Sequence, residues 1–354
     1  MLFLTRKFGI TISDSERDLA ADKLYADQIV ERVLVMQKKA AERDHRPLGR
    51  GTHAKGVTVR AQFEILDVRI GRDAALAARL ARGIFATPGV FPATVRFANS
   101  DSRVNSDLKP DVRSLSLSVD LPTGGRQDFS MQNATTLPIN DARAFLATMK
   151  LLTAEHPSSA LWALPFDDKL RVFRTLALAE LQSRQKIEPY QKLRYWSTVP
   201  FRHGPHEAVK HSATPSRNNP AMPLQKKNPK ALKDELVRHI NEDATMGTFD
   251  FAVQFLDPNK MTYRGKQFDA NFWLENASVE WKESESPFYP IAKLTLLPKS
   301  ELGPQEAEEA YFDVTGNSTA DSTPLGSINR ARWASEVASR KARNGDVKRV
   351  SVAV

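Results

Sequence analysis

Along Gly56-Val57-Thr58-Val59-Arg60-Ala61-Gln62-Phe63-Glu64-Ile65-Leu66 apolar and polar residues largely alternate, the pattern of a strand with one buried and one polar face. The same alternation predicts strands over 94–98, 114–120, 127–131, 207–213, 248–255, 277–281 and 291–297, about eight with the first. Helical spacing predicts helices over 13–43, 73–82, 140–154, 166–184, 230–243, 303–311 and 326–343. The first opens on Ser13-Asp14-Ser15-Glu16, a capping-box spacing, and carries Leu19, Leu24, Ile29, Val30, Val33 and Leu34 near helical intervals. Arg46-Pro47-Leu48-Gly49 ends it. Strands so widely spaced, with helices in unequal insertions, do not make the regular alternation of a doubly wound parallel sheet. The pattern predicts an α+β chain in which a curled antiparallel sheet carries its helices outside. Residues 195–229 hold several prolines and read mostly as a long irregular connection, and those after Gly345 as a loose tail.

Composition narrows the chemistry. The 354 residues are 41% hydrophobic and 26% charged, an ordinary globular balance that permits two domains or one large core with appendages. Zero cysteines exclude disulfides, thiolate metal sites and cysteine nucleophiles. No stretch reaches the roughly 18 to 20 apolar residues of a membrane span, and the opening MLFLTRKFGIT is too short for a secretory core; a cytoplasmic location is expected. The excess of 51 Lys+Arg over 42 Asp+Glu, +9, is spread among acids without interleaved aromatics. That argues against nucleic acid and for an anionic substrate or the carboxylates of a cofactor.

No phosphate-binding glycine loop and no H-E-x-x-H occur. His203 and His206 lie close together but without a carboxylate at metal-ligand spacing, which reads as a solvated loop. His53, in Arg50-Gly51-Thr52-His53-Ala54-Lys55-Gly56, stands at the mouth of the first strand, where it is either structural or an acid-base group.

These residues carry a resemblance. Arg50-x-x-His53-Ala54-Lys55-Gly56 is similar to the distal-histidine motif of the haem catalases, Val95-Arg96-Phe97 to their next strand, and Asp111-Val112-Arg113-Ser114-Leu115-Ser116-Leu117 to the one after. Asp128-Phe129-Ser130-Met131-Gln132-Asn133 through Ile139-Asn140-Asp141-Ala142-Arg143-Ala144-Phe145 resembles their distal-asparagine strand and following helix. Tyr195-Trp196-Ser197 and Val279-Glu280-Trp281 resemble later barrel pieces. The motifs keep the family's order over about residues 46–343.

The resemblance implies an eight-stranded antiparallel β-barrel of the catalase type with surrounding helices and no flavodoxin-like domain. It divides the chain into an N-terminal helical arm (1–45), a barrel with helical insertions (46–300) and a C-terminal helical segment (301–354). It implies a haem b cofactor and a small-molecule peroxide, hydrogen peroxide or an organic hydroperoxide such as that of a fatty acid, as substrate. His53 becomes the acid-base group and Gln132 or Asn133 the peroxide-orienting amide. Arg50, Arg96 and Arg343 become propionate partners, and Phe145 a pocket wall. Ala98 stands where the family has a serine that hydrogen-bonds the histidine. A homo-oligomer is compatible with the family.

The terminal helix departs most. Catalases carry Arg-x-x-x-Tyr-x-x-Thr-x-x-x-Arg there, the tyrosinate binding iron. Here the spacing matches Arg332, Glu336, Ser339 and Arg343, so Glu336 takes the tyrosine's place, and no tyrosine follows Tyr311. Glu336 is then an anionic iron ligand kept charged by Arg332, half of a plain i, i+4 ion pair, or the remnant of a lost site. An altered proximal donor implies slow catalase turnover and favours peroxidase or hydroperoxide-rearranging chemistry. The rival readings are a haem-free catalase-fold binding module and a barrel enzyme using another metal.

Overall fold

A computed structural model describes residues 19–216 and 219–344. Its strands are β1 (Gly56–Ile65), β2 (Gly89–Asn99), β3 (Arg113–Asp120), β4 (Arg126–Gln132), β5 (Tyr195–Trp196), β6 (Phe201–Arg202), β7 (Ala208–Pro215), β8 (Thr248–Phe255) and β9 (Phe288–Glu301). They form one antiparallel sheet in the order β5-β4-β3-β2-β1-β9-β8-β7-β6, and β5 also pairs with β7. That pairing closes eight strands into a barrel, with β6 flanking β7. Closure leaves no free edge among the eight.

Alternation decides what each face holds. On β3 Leu115, Leu117 and Val119 point into the barrel, while Ser114, Ser116 and Ser118 face outward. The interior is aromatic: the Phe63 and Phe129 rings meet Phe251 edge-on at 5.2 and 5.0 Å, and the short turn Gly83–Ala86 inserts Phe85 among them. Such pairs add to the burial free energy of each ring.

The helices are α1 (Leu19–Arg43), α2 (Ala74–Leu80), α3 (Ala142–Thr153), α4 (Pro157–Ala163), α5 (Phe166–Ser183), α6 (Ala231–Glu242), α7 (Ala270–Glu275), α8 (Pro304–Glu309) and α9 (Ser327–Asn344). Ile29 and Val33 of α1, Ala142, Leu146 and Met149 of α3, and Ala331 of α9 make one apolar cluster that holds α9 outside the barrel. The Glu275 carboxylate accepts from Ser327 N at 2.9 Å and pairs with Arg330, which fixes where α9 starts. Just before it, Gly326 (φ +87°) lies so close to the Leu274 carbonyl that a Cβ would sit 2.5 Å from that oxygen.

Three expectations change. Residues 277–281 are not a strand: their alternation serves a satellite cluster in which Val279 and Trp281 pack with Trp273 and Leu274. The eighth barrel strand is instead β5, whose two residues lie in the stretch expected to be irregular. His203 is not solvated: its ring sits beside Phe85 and Phe255, and its Nε2 lies 3.1 Å from the carbonyls of Arg79 and Leu80, while His206 is exposed as expected. The capping box at Ser13–Glu16 lies outside the described residues.

Candidate functional site

The outer face of β2, β3 and β4 is a floor of small side chains. Register aligns Thr58, Arg96, Ser116 and Ser130 in one row across β1 to β4, with Ala98 and Ser114 in the next. Small residues here leave space between the sheet and α9, and a cavity of about 350 Å³ occupies it, within the range of small-molecule pockets.

One wall comes from the loop before β1. His53 has a left-handed backbone (φ +54°), a conformation that costs a non-glycine residue on the order of 1–3 kcal/mol unless its surroundings enforce it. They do: its N–H donates to Ser100 O at 3.2 Å, and Arg96 Nη2 donates to its carbonyl at 2.9 Å. Gly56 makes room for that arginine, since a Cβ there would lie 2.8 Å from the guanidinium carbon. His53 Nδ1 lies 3.2 Å from Thr52 Oγ1.

The opposite wall is one face of α9. Ile328, Arg332, Ser335, Glu336, Ser339 and Arg343 recur at three- and four-residue steps and all line the cavity. Arg332 Nε stands 3.5 Å from Glu336 Oε1. Leu137, Ile139 and Phe145 add apolar surface.

A strap completes the enclosure. Tyr311, Phe312, Asp313 and Val314 line the cavity after α8, and the Arg340 guanidinium lies 4.2 Å from the Tyr311 ring centre. α8 buries no side chain. Polar contacts hold it: Glu308 sits between Arg50 (2.7 Å) and Arg343 (3.3 Å), Arg50 Nη2 donates to the carbonyls of Ala307 and Ala310, and Arg60 pairs with Glu306.

Burial and crowded positive charge set the protonation states. Burial, with the Arg96, Arg50 and Arg332 guanidiniums nearby, lowers His53 to about 4, so the imidazole is neutral at physiological pH. Burial raises Glu336 to about 7; Arg332 opposes the rise, and the Asp313 and Asp128 carboxylates add to it. Arg332 thus favours the charged carboxylate as expected, while loss of solvation outweighs that one guanidinium. The ring and the carboxyl are enclosed by protein yet keep surface open to the cavity itself, about a third of it for Glu336. Asp128, on the outer face of β4, is raised to about 7 by burial although it accepts from Asp313 N and Asn317 Nδ2.

The structure thus gathers His53, Arg50, Arg96, Phe145, Arg332, Glu336 and Arg343 around one cavity. Gln132 and Asn133 are not among its lining residues. Gln132 Nε2 donates to Thr136 O at 3.0 Å, and Asn133 is tied between Arg113 N and Gln185. Ser116 and Ser130 line the cavity instead. They were legible as the polar half of a Ser-Leu alternation, and Tyr311 and Asp313 carried no sequence signal.

No family model and no curated protein matches the sequence. Solved structures do. A fungal catalase superposes with a TM-score of 0.63 at 14% identity, covering 87% of this chain and 62% of its own. Catalase A from Saccharomyces cerevisiae gives 0.59 at 14% identity, covering 87% and 64%. The chain therefore spans less than two thirds of the length of these catalases. No helix among the described residues is long and apolar enough to cross a membrane. The chain has a catalase-like fold: a closed eight-stranded antiparallel barrel wrapped by helices.

Proposed function

We propose that the chain is a haem-dependent oxidoreductase acting on hydrogen peroxide or an organic hydroperoxide, with a carboxylate in place of the usual proximal phenolate. The observation that carries this reading is the convergence of a neutral His53 and of Glu336, whose Oε2 has no hydrogen-bond partner, on one cavity floored by small side chains. The residues fit the group. Glu336 Oε2 and Arg332 Nε and Nη2 are buried without a hydrogen-bond partner, which calls for a ligand of matching polarity. Arg50, Arg96 and Arg343 supply positive charge for porphyrin carboxylates, and Phe145, Ile139 and Leu137 supply apolar contact.

When bound, a haem would contribute the redox-active iron that peroxide cleavage needs. The protein's part is proton handling and orientation. His53 is uncharged near neutral pH, so its ring can take a proton from one peroxide oxygen and return it to the other. Arg96, gripping the His53 carbonyl, keeps that ring at the wall. Glu336 offers an oxygen ligand only when deprotonated, so ligation and its proton compete.

The second reading is a haem-free binding module. It draws on the pairing of Arg50 and Arg343 with Glu308, which already satisfies two of the arginines a porphyrin would use. A titration with hemin separates the two. A saturable one-to-one complex with a Soret band, shifted to a tyrosinate-haem spectrum in Glu336→Tyr, supports the first; absence of stoichiometric binding rejects it.

A further inference from the structure

The excursion between β4 and β5 presents an apolar surface that nothing in the chain's described residues covers. Fifteen large hydrophobic side chains of the described residues are exposed, and seven of them fall within residues 152–181. On α5, Phe166, Leu170, Phe173 and Leu181 recur at helical steps along one outer stripe, each 52–72% exposed. Trp162 of α4 continues it at 77% exposed, with the Lys169 ammonium of α5 5.3 Å from its ring centre. The inner side of the same helix is already seated: Val172 is buried against Ala147 and Leu151 of α3. The helix is therefore apolar on two sides, which a helix packed on one neighbour does not need.

Three observations select the occupant. First, the stripe extends to both sides of Phe173, with Phe166 and Leu170 before it and Ala177 and Leu181 after it, so an antiparallel copy crossing there meets apolar residues along the whole helix. Second, residues 152–184 carry Glu155, Asp167, Asp168 and Glu180 against Lys169, Arg171, Arg174 and Arg184, a balance of 4 − 4 = 0 in a chain of +9. Two such faces meet without the repulsion that the rest of the chain imposes, and the surface lacks the Lys/Arg-rich polar face of a membrane-binding helix. Third, an aromatic side chain buries about 150–250 Å². Three exposed aromatics and the leucines beside them thus offer on the order of 500 Å² of apolar surface per copy, a large part of the about 800 Å² each partner gives to a standard interface.

We propose that the α4–α5 face is the contact between two copies of this chain, with the two α5 helices crossing antiparallel near Phe173. Sedimentation equilibrium of the full chain and of the double variant Leu170→Glu, Phe173→Glu tests it. The wild type is expected at twice the chain mass, and the variant as a monomer with at least a hundredfold weaker self-association and unchanged circular dichroism. Because the native chain has no cysteine, Phe173→Cys gives an independent readout. Mild oxidation should yield a covalent dimer, and the same substitution at exposed Val90, far along the chain, should not. A monomeric wild type overturns the proposal, as does a dimer that survives the double substitution. Co-sedimentation of the wild type with phosphatidylcholine–phosphatidylglycerol vesicles, lost in the double variant, overturns it in favour of a lipid surface. None of these outcomes depends on whether haem binds.

Discussion

The two faces of strands β2 to β4 have opposite physics, although their residues alternate in the chain. The inward face is closed and aromatic, with Phe97, Phe129 and Leu117 fully buried among rings. The outward face carries Ser116, Ser130 and Arg96 beside a cavity where Arg332 and Glu336 keep polar atoms without partners. One face contributes packing free energy. The other tolerates unsatisfied charge, which a protein does not gain stability by keeping. A strand of period two lets both coexist, since a change on one face leaves the other intact.

The sharpest way to break the comparison is to damage one face and watch the other. Phe251→Ala removes a ring that Phe63 and Phe129 both meet edge-on, and should cost about 3–5 kcal/mol in urea unfolding while leaving cavity ligands unaffected in any sample that still folds. Ser116→Phe, on the outer face, should do the reverse. It fills the floor, lowers hemin affinity by at least tenfold (about 1.4 kcal/mol) and shifts the unfolding midpoint much less.

Acid should also separate the faces. His203 and His211 belong to the buried aromatic interior and are lowered by burial to about 4 and about 3, with neighbouring cations lowering His203 further. Their neutral forms are what the fold accepts, so their contribution is complete above about 6.5 and is lost as pH falls toward 4 and then 3. Glu336 works with the opposite sign: raised from 4.5 to about 7, it contributes fully below 4.5 and its contribution is lost as pH rises through 7. Denaturant midpoints of wild type and Glu336→Gln, measured from pH 4 to 8, should diverge in favour of the variant as pH rises. A constant difference across that range contradicts the assigned protonation. Smallest of all, Glu308→Gln should cost no more than about 1 kcal/mol in global stability, because the Glu308 carboxylate is itself half exposed although its arginine partners are not. Its measurable sign is faster amide hydrogen exchange confined to 304–310.

What was readable in the chain follows the same division. Long alternating runs such as β1 and β8 were plain, because burial on one face imprints a period. β5 was not, because two residues have no period; it exists through its pairing with β4 and β7. His53, Arg96 and the α9 face could be found from motif and helical spacing. The amides Gln132 and Asn133 could not be placed, since at a strand end the outcome depends on local hydrogen bonds such as Thr136 O. The strength of burial at Glu336 could not be read, because spacing reveals Arg332 but not the enclosure around the pair. Glu308 and Asp313 were invisible for a related reason: their partners are distant in sequence, so no spacing joins them.

That strap has a consequence of its own. A helix fastened by guanidinium–carboxylate pairs and carbonyl contacts, with nothing greasy beneath it, answers to the ions around it rather than to heat alone. The screening length shrinks from about 8 Å near physiological salt to about 3 Å at molar salt. The hold on α8 should therefore loosen in brine and tighten in dilute buffer, making ionic strength a dial on this strap while the barrel beside it stays indifferent.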